Sequence, residues 1–349
     1  MRSVPCLIVI ALLGCGDDAP PSRDLALAVT IGAGGLSEEV AFSIPDGTRS
    51  ISVIVEGAPD ALYALGAFGV GDGVDLVQLP AGAPGPAMQA SYRDEQIGQM
   101  PGALFQSIRL GTFTHVYPYR PDQVVLAGTG RLRVASDRPG PATVHLVMPE
   151  DDGAATLPLR FHVVSDTLPE PTAPVFVGEL DRLLAQAGVA VRVDGITRHA
   201  GTGLARITDF NKPQESPTSQ SAMLPGLVAD EAAAGLDVFF VDALPSGVAG
   251  LALGTPGPPV RGGYYFGVVV RGDLPAASLA RVTAHEVAHF LALQHVLNRG
   301  ISGRTYPDPL DDTTPGADNL MEDGALLTAD QAFALSRSAL LVAPSGVGP

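Results

Sequence analysis

The chain has 349 residues, which is enough for two domains that each bury a core. Its formal net charge is −16, and this argues against a nucleic-acid partner because phosphate binding needs clustered Lys and Arg. With 41 Gly, 31 Pro and no Trp, the composition favours a turn-rich chain of short strands over a helix bundle.

The first fifteen residues have the pattern of a targeting segment. Arg2 supplies a positive start and residues 7–13 an apolar run. Leu12-Leu13-Gly14-Cys15 then resembles a bacterial lipobox, which implies a lipid on Cys15 and an exported protein anchored to the bacterial cell envelope, in the periplasm or at the cell surface. An ordinary cleaved signal and a short membrane anchor are the alternatives. Because Cys6 leaves with the signal, no cysteine pair remains for a disulfide.

Residues 16–23 form a polar tether, and residues 24–166 carry short strand-like runs separated by Gly, Pro and Asp. This spacing predicts an all-β sandwich. The last run, residues 157–164, alternates apolar and polar side chains, which predicts a half-buried antiparallel strand. His115, in a Tyr- and Pro-rich loop, and His145 and His162, on the polar sides of their strands, are predicted to face solvent.

Residues 167–174 are a proline-rich linker, and residues 175–349 are predicted to form a second, α/β domain with a mostly parallel sheet. Residues 177–187 have helical spacing and stop at Gly188. Residues 237–242 read as a buried strand and residues 248–253 as an edge strand ended by prolines. A final helix opens at Thr328 with a capping box and is predicted to continue through Leu340.

The chemistry is concentrated in residues 281–295, RVTAHEVAHFLALQH. On a helix His285 and His289 lie one turn apart on the same face, so both can bind one metal ion. Glu286 lies beside them, where it can act as a general base toward water. His295 follows six residues after His289, and on an unbroken helix it would lie about 9 Å further along the axis. To reach the same ion, the chain must turn back near Ala292.

The spacing H-E-x-x-H-x-x-x-x-x-H resembles the metzincin clan of zinc endopeptidases, whose motif has glycine where this chain has Ala292. The resemblance covers about the last 175 residues. It implies that His285, His289 and His295 bind one catalytic Zn²⁺. It also implies that Met321 forms a Met-turn, an apolar floor beneath the histidines. Acidic groups are the alternative third ligands: Asp308, Asp311, Asp312, Glu322 and Asp323.

The metzincin resemblance implies hydrolysis of peptide bonds of proteins, with Glu286 as the catalytic base and substrate lying along the edge strand. Together with the lipobox-like segment, it predicts a membrane-anchored lipoprotein with this activity. One alternative is a binding or adhesion lipoprotein that holds zinc without cutting; another is an accidental motif in a structural envelope protein. Residues 307–323 hold five Asp and one Glu. They can offer oxygen ligands to Ca²⁺, although a solvated loop is the alternative we favour because the spacing matches no defined Ca²⁺ loop.

Overall fold

The computed structural model describes residues 24–71, 74–78, 105–106, 111–153, 155–171, 174–209, 219–228, 235–245, 247–260, 265–299 and 305–343. The predicted signal segment, Cys15 and the tether lie outside these residues. Within them, no helix has the length and apolar character needed to cross a membrane. The described chain is a mixed α/β structure with several sheets and few helices.

Two antiparallel sheets make up the N-terminal half, residues 24–153. Their strands are β1 (Asp24–Ile31), β2 (Val40–Ile44), β3 (Ile51–Gly57), β4 (Tyr63–Val70), β5 (Val74–Gln78), β6 (Phe105–Gln106), β7 (Thr112–Tyr117), β8 (Gly128–Ser136) and β9 (Gly140–Val147). One sheet has the order β1-β9-β3-β7-β6 and the other β2-β8-β4-β5. Alternate side chains of both sheets, such as Val29, Phe42, Phe68 and Val144, share one core. Two sheets enclosing one core agree with the predicted sandwich.

A third sheet organises the C-terminal half, residues 155–343. Its strands are β10 (Thr156–Val164), β11 (Ala190–Arg198), β12 (Leu236–Val241), β13 (Gly250–Ala252) and β14 (Val268–Arg271). Their order is β11-β10-β12-β14-β13, and every pair is parallel except β13 with β14. The predicted edge strand is therefore confirmed as the short antiparallel β13.

The prediction for residues 157–164 was wrong, because β10 is a central parallel strand that is buried along its whole length. Its polar side chains face the neighbouring strand instead of water. The guanidinium of Arg160 donates to Oδ1 of the fully buried Asp237 at 2.8 Å, and Nε2–H of His162 donates to the same atom at 2.9 Å. The break predicted between residues 166 and 167 therefore falls after the first strand of this sheet and not before the sheet begins.

Two further expectations for histidines also need correction. His115 lies in β7 and is fully buried, packed edge-on against Phe68 at 5.5 Å between ring centroids. His162 is buried beside Asp237 as described above. His145 is about one-third exposed, with Nε2 3.6 Å from the Glu56 carboxylate.

The helices are α1 (Pro174–Leu184), α2 (Gln220–Gly226), α3 (Ala276–Phe290) and α4 (Ala329–Ser336), and a small hairpin pairs β15 (Leu297–Arg299) with β16 (Thr305–Pro307). Helices α1 and α3 pack together on one face of the third sheet, and their apolar side chains join its core. A short 3-10 helix, Ala185–Ala187, follows α1 and ends at Gly188, which has a left-handed conformation with φ 69°. The capping box at Thr328 is confirmed, but α4 stops at Ser336, short of the predicted Leu340.

Candidate metal centre

Helix α3 presents one apolar and one polar side, as its sequence predicts. Ala284, Val287, Ala288 and Leu291 are all buried in the core that α3 shares with the third sheet. Burying this stripe fixes the rotation of the helix about its axis. The two histidines of the motif are thereby held at the margin of the buried face, with His289 more buried than its neighbour one turn earlier.

The helix ends in a bend of the kind that the motif requires. Ala292 has φ 105°, and no other non-glycine residue that the structure describes has a positive φ. Its N–H donates to the carbonyl of His289 at 3.1 Å, while the N–H of Leu293 donates to the carbonyl of Ala288 at 2.8 Å. This pair of bonds is the Schellman pattern that closes a helix, with Ala292 in the place usually taken by glycine. The reversed chain direction brings His295 back over the helix.

The bend brings the three imidazoles together. Nε2 of His295 lies 3.1 Å from Nε2 of His285 and 3.1 Å from Nε2 of His289. One ligand atom from each ring lies within 4.8 Å of the others. Nitrogens bound to one tetrahedral Zn²⁺ at its usual bond length are about 3.3 Å apart, so the spacing of these atoms suits such an ion. Among the described residues, these three histidines are the one set of His, Cys, Asp or Glu side chains that has the spacing of metal ligands.

Backbone carbonyls orient the two helical histidines. Nδ1–H of His285 donates to the carbonyl of Leu320 at 2.6 Å, and Nδ1–H of His289 donates to the carbonyl of Leu293 at 2.8 Å. Since a carbonyl can only accept, each ring keeps its proton on Nδ1 and leaves a lone pair on Nε2. No sequence pattern points to these two carbonyls, because every residue has a carbonyl.

The local environment favours neutral imidazoles. Burial lowers the pKa of His285, and burial followed by repulsion from the neighbouring imidazoles lowers the pKa of His289 well below its ordinary range. Burial, and then repulsion from His285, lowers the pKa of His295 to about 4. Because only a neutral imidazole binds a metal, these lowered pKa values favour the metal-binding form of all three rings.

Glu286 is buried between α3 and the edge strand. Burial raises the pKa of its carboxyl to about 8, and a backbone hydrogen bond from Ala252 partly opposes that rise. The side chain passes so close to Gly250 that a Cβ at that position would lie 2.5 Å from Cγ of Glu286. The absence of a side chain at Gly250 therefore leaves room for the Glu286 carboxylate. The spacing of the sequence motif does not indicate this feature.

The segment around Met321 packs against α3 and contacts the first histidine of the centre. Met321 is fully buried in the same core as α3, and the preceding Leu320 supplies the carbonyl that orients the first histidine. The turn is braced by Asn319, whose Oδ1 accepts the N–H of Met321 at 2.9 Å and whose Nδ2 donates to Oε1 of Gln331 in α4 at 2.8 Å. Hydrogen bonds therefore connect α4, this turn and His285.

The acidic segment, residues 307–323, contributes no ligand to the histidine group. Asp308 is buried, accepts a hydrogen bond from the hydroxyl of Thr313, and has its pKa raised to about 6 by burial. Oε2 of Glu322 accepts the N–H of Gly316 at 3.0 Å. Among the described residues of this segment, none of the acidic alternatives for a third ligand lies at metal-ligand spacing from the imidazoles, whereas His295 does.

Comparison with known proteins adds little to this geometry. No family model matches the chain, and no curated protein matches it. Among solved structures, the chain is similar to the crystal structure of metalloproteinase-II from Bacteroides fragilis, with 14% identity and a TM-score of 0.29. The match covers 45% of this chain and 48% of that protein. A TM-score this low carries no argument, so the assignment of the site depends on its own atoms.

Proposed function

We propose that the chain is a zinc-dependent endopeptidase in which His285, His289 and His295 hold one catalytic Zn²⁺ and Glu286 is the general base. The observation that carries the proposal is that Nε2 of His295 lies 3.1 Å from Nε2 of His285 and 3.1 Å from Nε2 of His289. On two of the rings the proton is placed on the other nitrogen by a backbone carbonyl. Three imidazoles on one tetrahedral ion would leave a fourth position open for chemistry.

Each residue has a defined task in this proposal. Zinc at the centre would supply Lewis acidity that polarises a peptide carbonyl and makes water a stronger acid. Glu286 accepts a proton from the attacking water and returns it to the leaving amine. Its pKa of about 8 describes the carboxyl without a nearby cation; a positive charge would lower the pKa and keep the base ionised at neutral pH. By resemblance to metzincins, Met321 is the floor of the site and does not bind the metal.

The edge strand is the proposed place for substrate. β13 pairs with β14 alone in the described part of the third sheet, so its other edge can hydrogen-bond an extended peptide. The same strand contacts Glu286 through Ala252. A peptide added to β13 would therefore run past the general base.

The central experiment measures zinc and hydrolysis in the same preparations. We expect one zinc per chain and cleavage of an unstructured protein such as casein. Glu286→Gln should keep the zinc and lose hydrolysis, whereas His295→Ala should bind zinc at least about tenfold more weakly because it removes a ligand. Zinc at one per chain with no cleavage across a broad peptide library would favour the non-cutting adhesion protein. No bound zinc at all would favour an accidental motif.

We also propose that Cys15 carries lipid and anchors the exported protein to the bacterial cell envelope. The support is the sequence resemblance to a lipobox. Palmitate labelling of the full chain should be strong in the wild type and absent in Cys15→Ser, which should also leave the membrane fraction. Equal labelling of the two proteins would refute the anchor without affecting the metal centre.

A further inference from the structure

A turn of the N-terminal half enters the core beneath the metal centre. Tyr119, which follows β7, is 1% exposed, and with Val116 it belongs to the core of the C-terminal half and not to that of its own sheets. The same core contains Leu293 and Val296, on either side of His295, and Leu310 of the acidic segment. The phenol is thus packed into the cluster that supports the chain around the third histidine.

The phenol of Tyr119 lies near polar groups of two segments. Burial and the carboxylate of Asp308 raise the pKa of the phenol, while a backbone hydrogen bond at Gln294 acts in the opposite sense. Gln294 immediately precedes His295 and is itself buried. The N–H of Asp308 donates to the carbonyl of Val296, the residue that follows His295, at 3.1 Å. Tyr119 therefore lies near the point at which the segment around His295 is hydrogen-bonded to the segment that begins at Asp308.

An ion pair at the protein surface joins the turn that contains Tyr119 to the acidic segment. A guanidinium nitrogen of Arg120 lies 2.7 Å from Oδ2 of Asp311, and Oε1 of Gln123 accepts the N–H of Tyr119 at 2.7 Å. The exposed pair contributes little stability by itself. Together with the buried phenol, it fixes the turn against the segment from Asp308 to Asp311.

His295 needs this support more than the other two ligands. His285 and His289 are fixed by their helix and by Nδ1–H bonds to carbonyls, but no bond to Nδ1 of His295 occurs among the described residues. The position of His295 depends on its backbone. Its carbonyl accepts a hydrogen bond from Nδ2 of Asn298 at 2.8 Å, and the residues on either side of it are buried. A displacement of this backbone would move the imidazole directly.

We propose that Tyr119 is a positioning residue for the third metal ligand, so that the N-terminal half completes the metal centre of the C-terminal half. This inference rests on the proposed three-histidine zinc site. It gives the all-β region a task in the metal centre, in which Tyr119 supports the backbone beside His295 and does not bind the metal itself.

The test compares zinc affinity in full-length variants by competition with a chromophoric chelator. Tyr119→Phe keeps the ring and removes the hydroxyl, and we expect it to weaken zinc binding about tenfold, the lower end of the range for groups that orient metal ligands. Tyr63→Phe is the matched control. It removes another buried phenol hydroxyl of the N-terminal half, one that accepts the N–H of Ala58 at 2.8 Å within its own core, and it should bind zinc as the wild type does.

A double-mutant cycle separates positioning from general destabilisation. If Tyr119 acts through His295, Tyr119→Phe should cause no further loss of affinity when added to His295→Ala. The visible spectrum of the Co²⁺-loaded protein should also change in Tyr119→Phe and not in Tyr63→Phe. If Tyr119→Phe gives no soluble protein, Asp308→Asn replaces it; that variant keeps the side-chain shape and should also weaken zinc binding.

The outcomes distinguish this inference from the proposed function. A wild type that binds no zinc would refute both. A wild type that binds zinc and cleaves substrate, with Tyr119→Phe of unchanged zinc affinity, would refute the positioning role alone. Equal losses from Tyr119→Phe in the wild-type and His295→Ala backgrounds would likewise overturn it, because the effect would then not pass through the third ligand.

Discussion

Replacing Glu286 with glutamine should stabilise the metal-free protein at alkaline pH. Burial raises the pKa of this carboxyl from its ordinary value of 4.5 to about 8. The protonated form is therefore favoured in the folded state. The contribution of Glu286 to the unfolding free energy is therefore complete below pH 4.5 and is lost as the pH rises through 8. At 1.36 kcal/mol per pKa unit, the loss is about 5 kcal/mol at most.

Water entry and local relaxation reduce the loss, so a few kcal/mol is the expected difference at pH 9. Glutamine cannot ionise, and its stability should not show this loss. The lowered pKa values of His285, His289 and His295 act in the opposite direction: their contribution is complete above pH 6.5 and lost as the pH falls through the folded values. Both proteins share these histidines, so their effect largely cancels in the comparison.

The assay is urea unfolding in the presence of a chelator at pH 5, 7 and 9. The difference in unfolding free energy between Glu286→Gln and the wild type should increase with pH. Glu38→Gln, which alters an exposed carboxylate, is the control and should follow the wild type. A difference that stays constant between pH 5 and 9 would show that Glu286 is not held in a desolvated site.

Three other changes test the surroundings of the centre. Ala292→Val places a β-branched residue at a buried position of φ 105° and should lower the unfolding free energy by about 2 kcal/mol or more, measured by urea unfolding; Ala292→Gly should stay within about 1 kcal/mol of the wild type. Gly250→Ala puts a Cβ 2.8 Å from Oε1 of Glu286, so hydrolysis should fall up to about 100-fold while the zinc content measured by mass spectrometry is unchanged. A chain that begins at Thr167 lacks β10, the strand between β11 and β12, and should show no cooperative unfolding by circular dichroism.

The sequence predicts the parts of this molecule whose determinants are local. The stripe on α3 and the capping box of α4 each depend on residues within a few positions of one another, and both occur as expected. β10 was misjudged because Arg160 and His162 look solvent-facing by alternation alone. Their partner, Asp237, lies on another strand more than seventy residues later, and no local pattern announces that pairing.

The same limit applies to the metal centre. The motif predicts that three histidines can meet, and the structure brings their Nε2 atoms together. The motif does not predict the support for the third histidine, because Tyr119 lies 176 residues before His295 and next to a different set of sheets. Long-range packing, which depends on the completed fold, is the part that periodicity and spacing cannot supply.

The alanine at the bend is tolerated for a physical reason. A left-handed conformation costs alanine about 1–2 kcal/mol relative to glycine. The methyl group of Ala292 is fully buried, which returns about 0.8 kcal/mol, and alanine also loses about 0.4–1 kcal/mol less chain entropy on folding than glycine. The two sides nearly cancel, so the bend does not need metal binding to hold it. Glycine at this position is therefore not required where the helix end is buried, and chains with alanine there can form the same three-histidine centre.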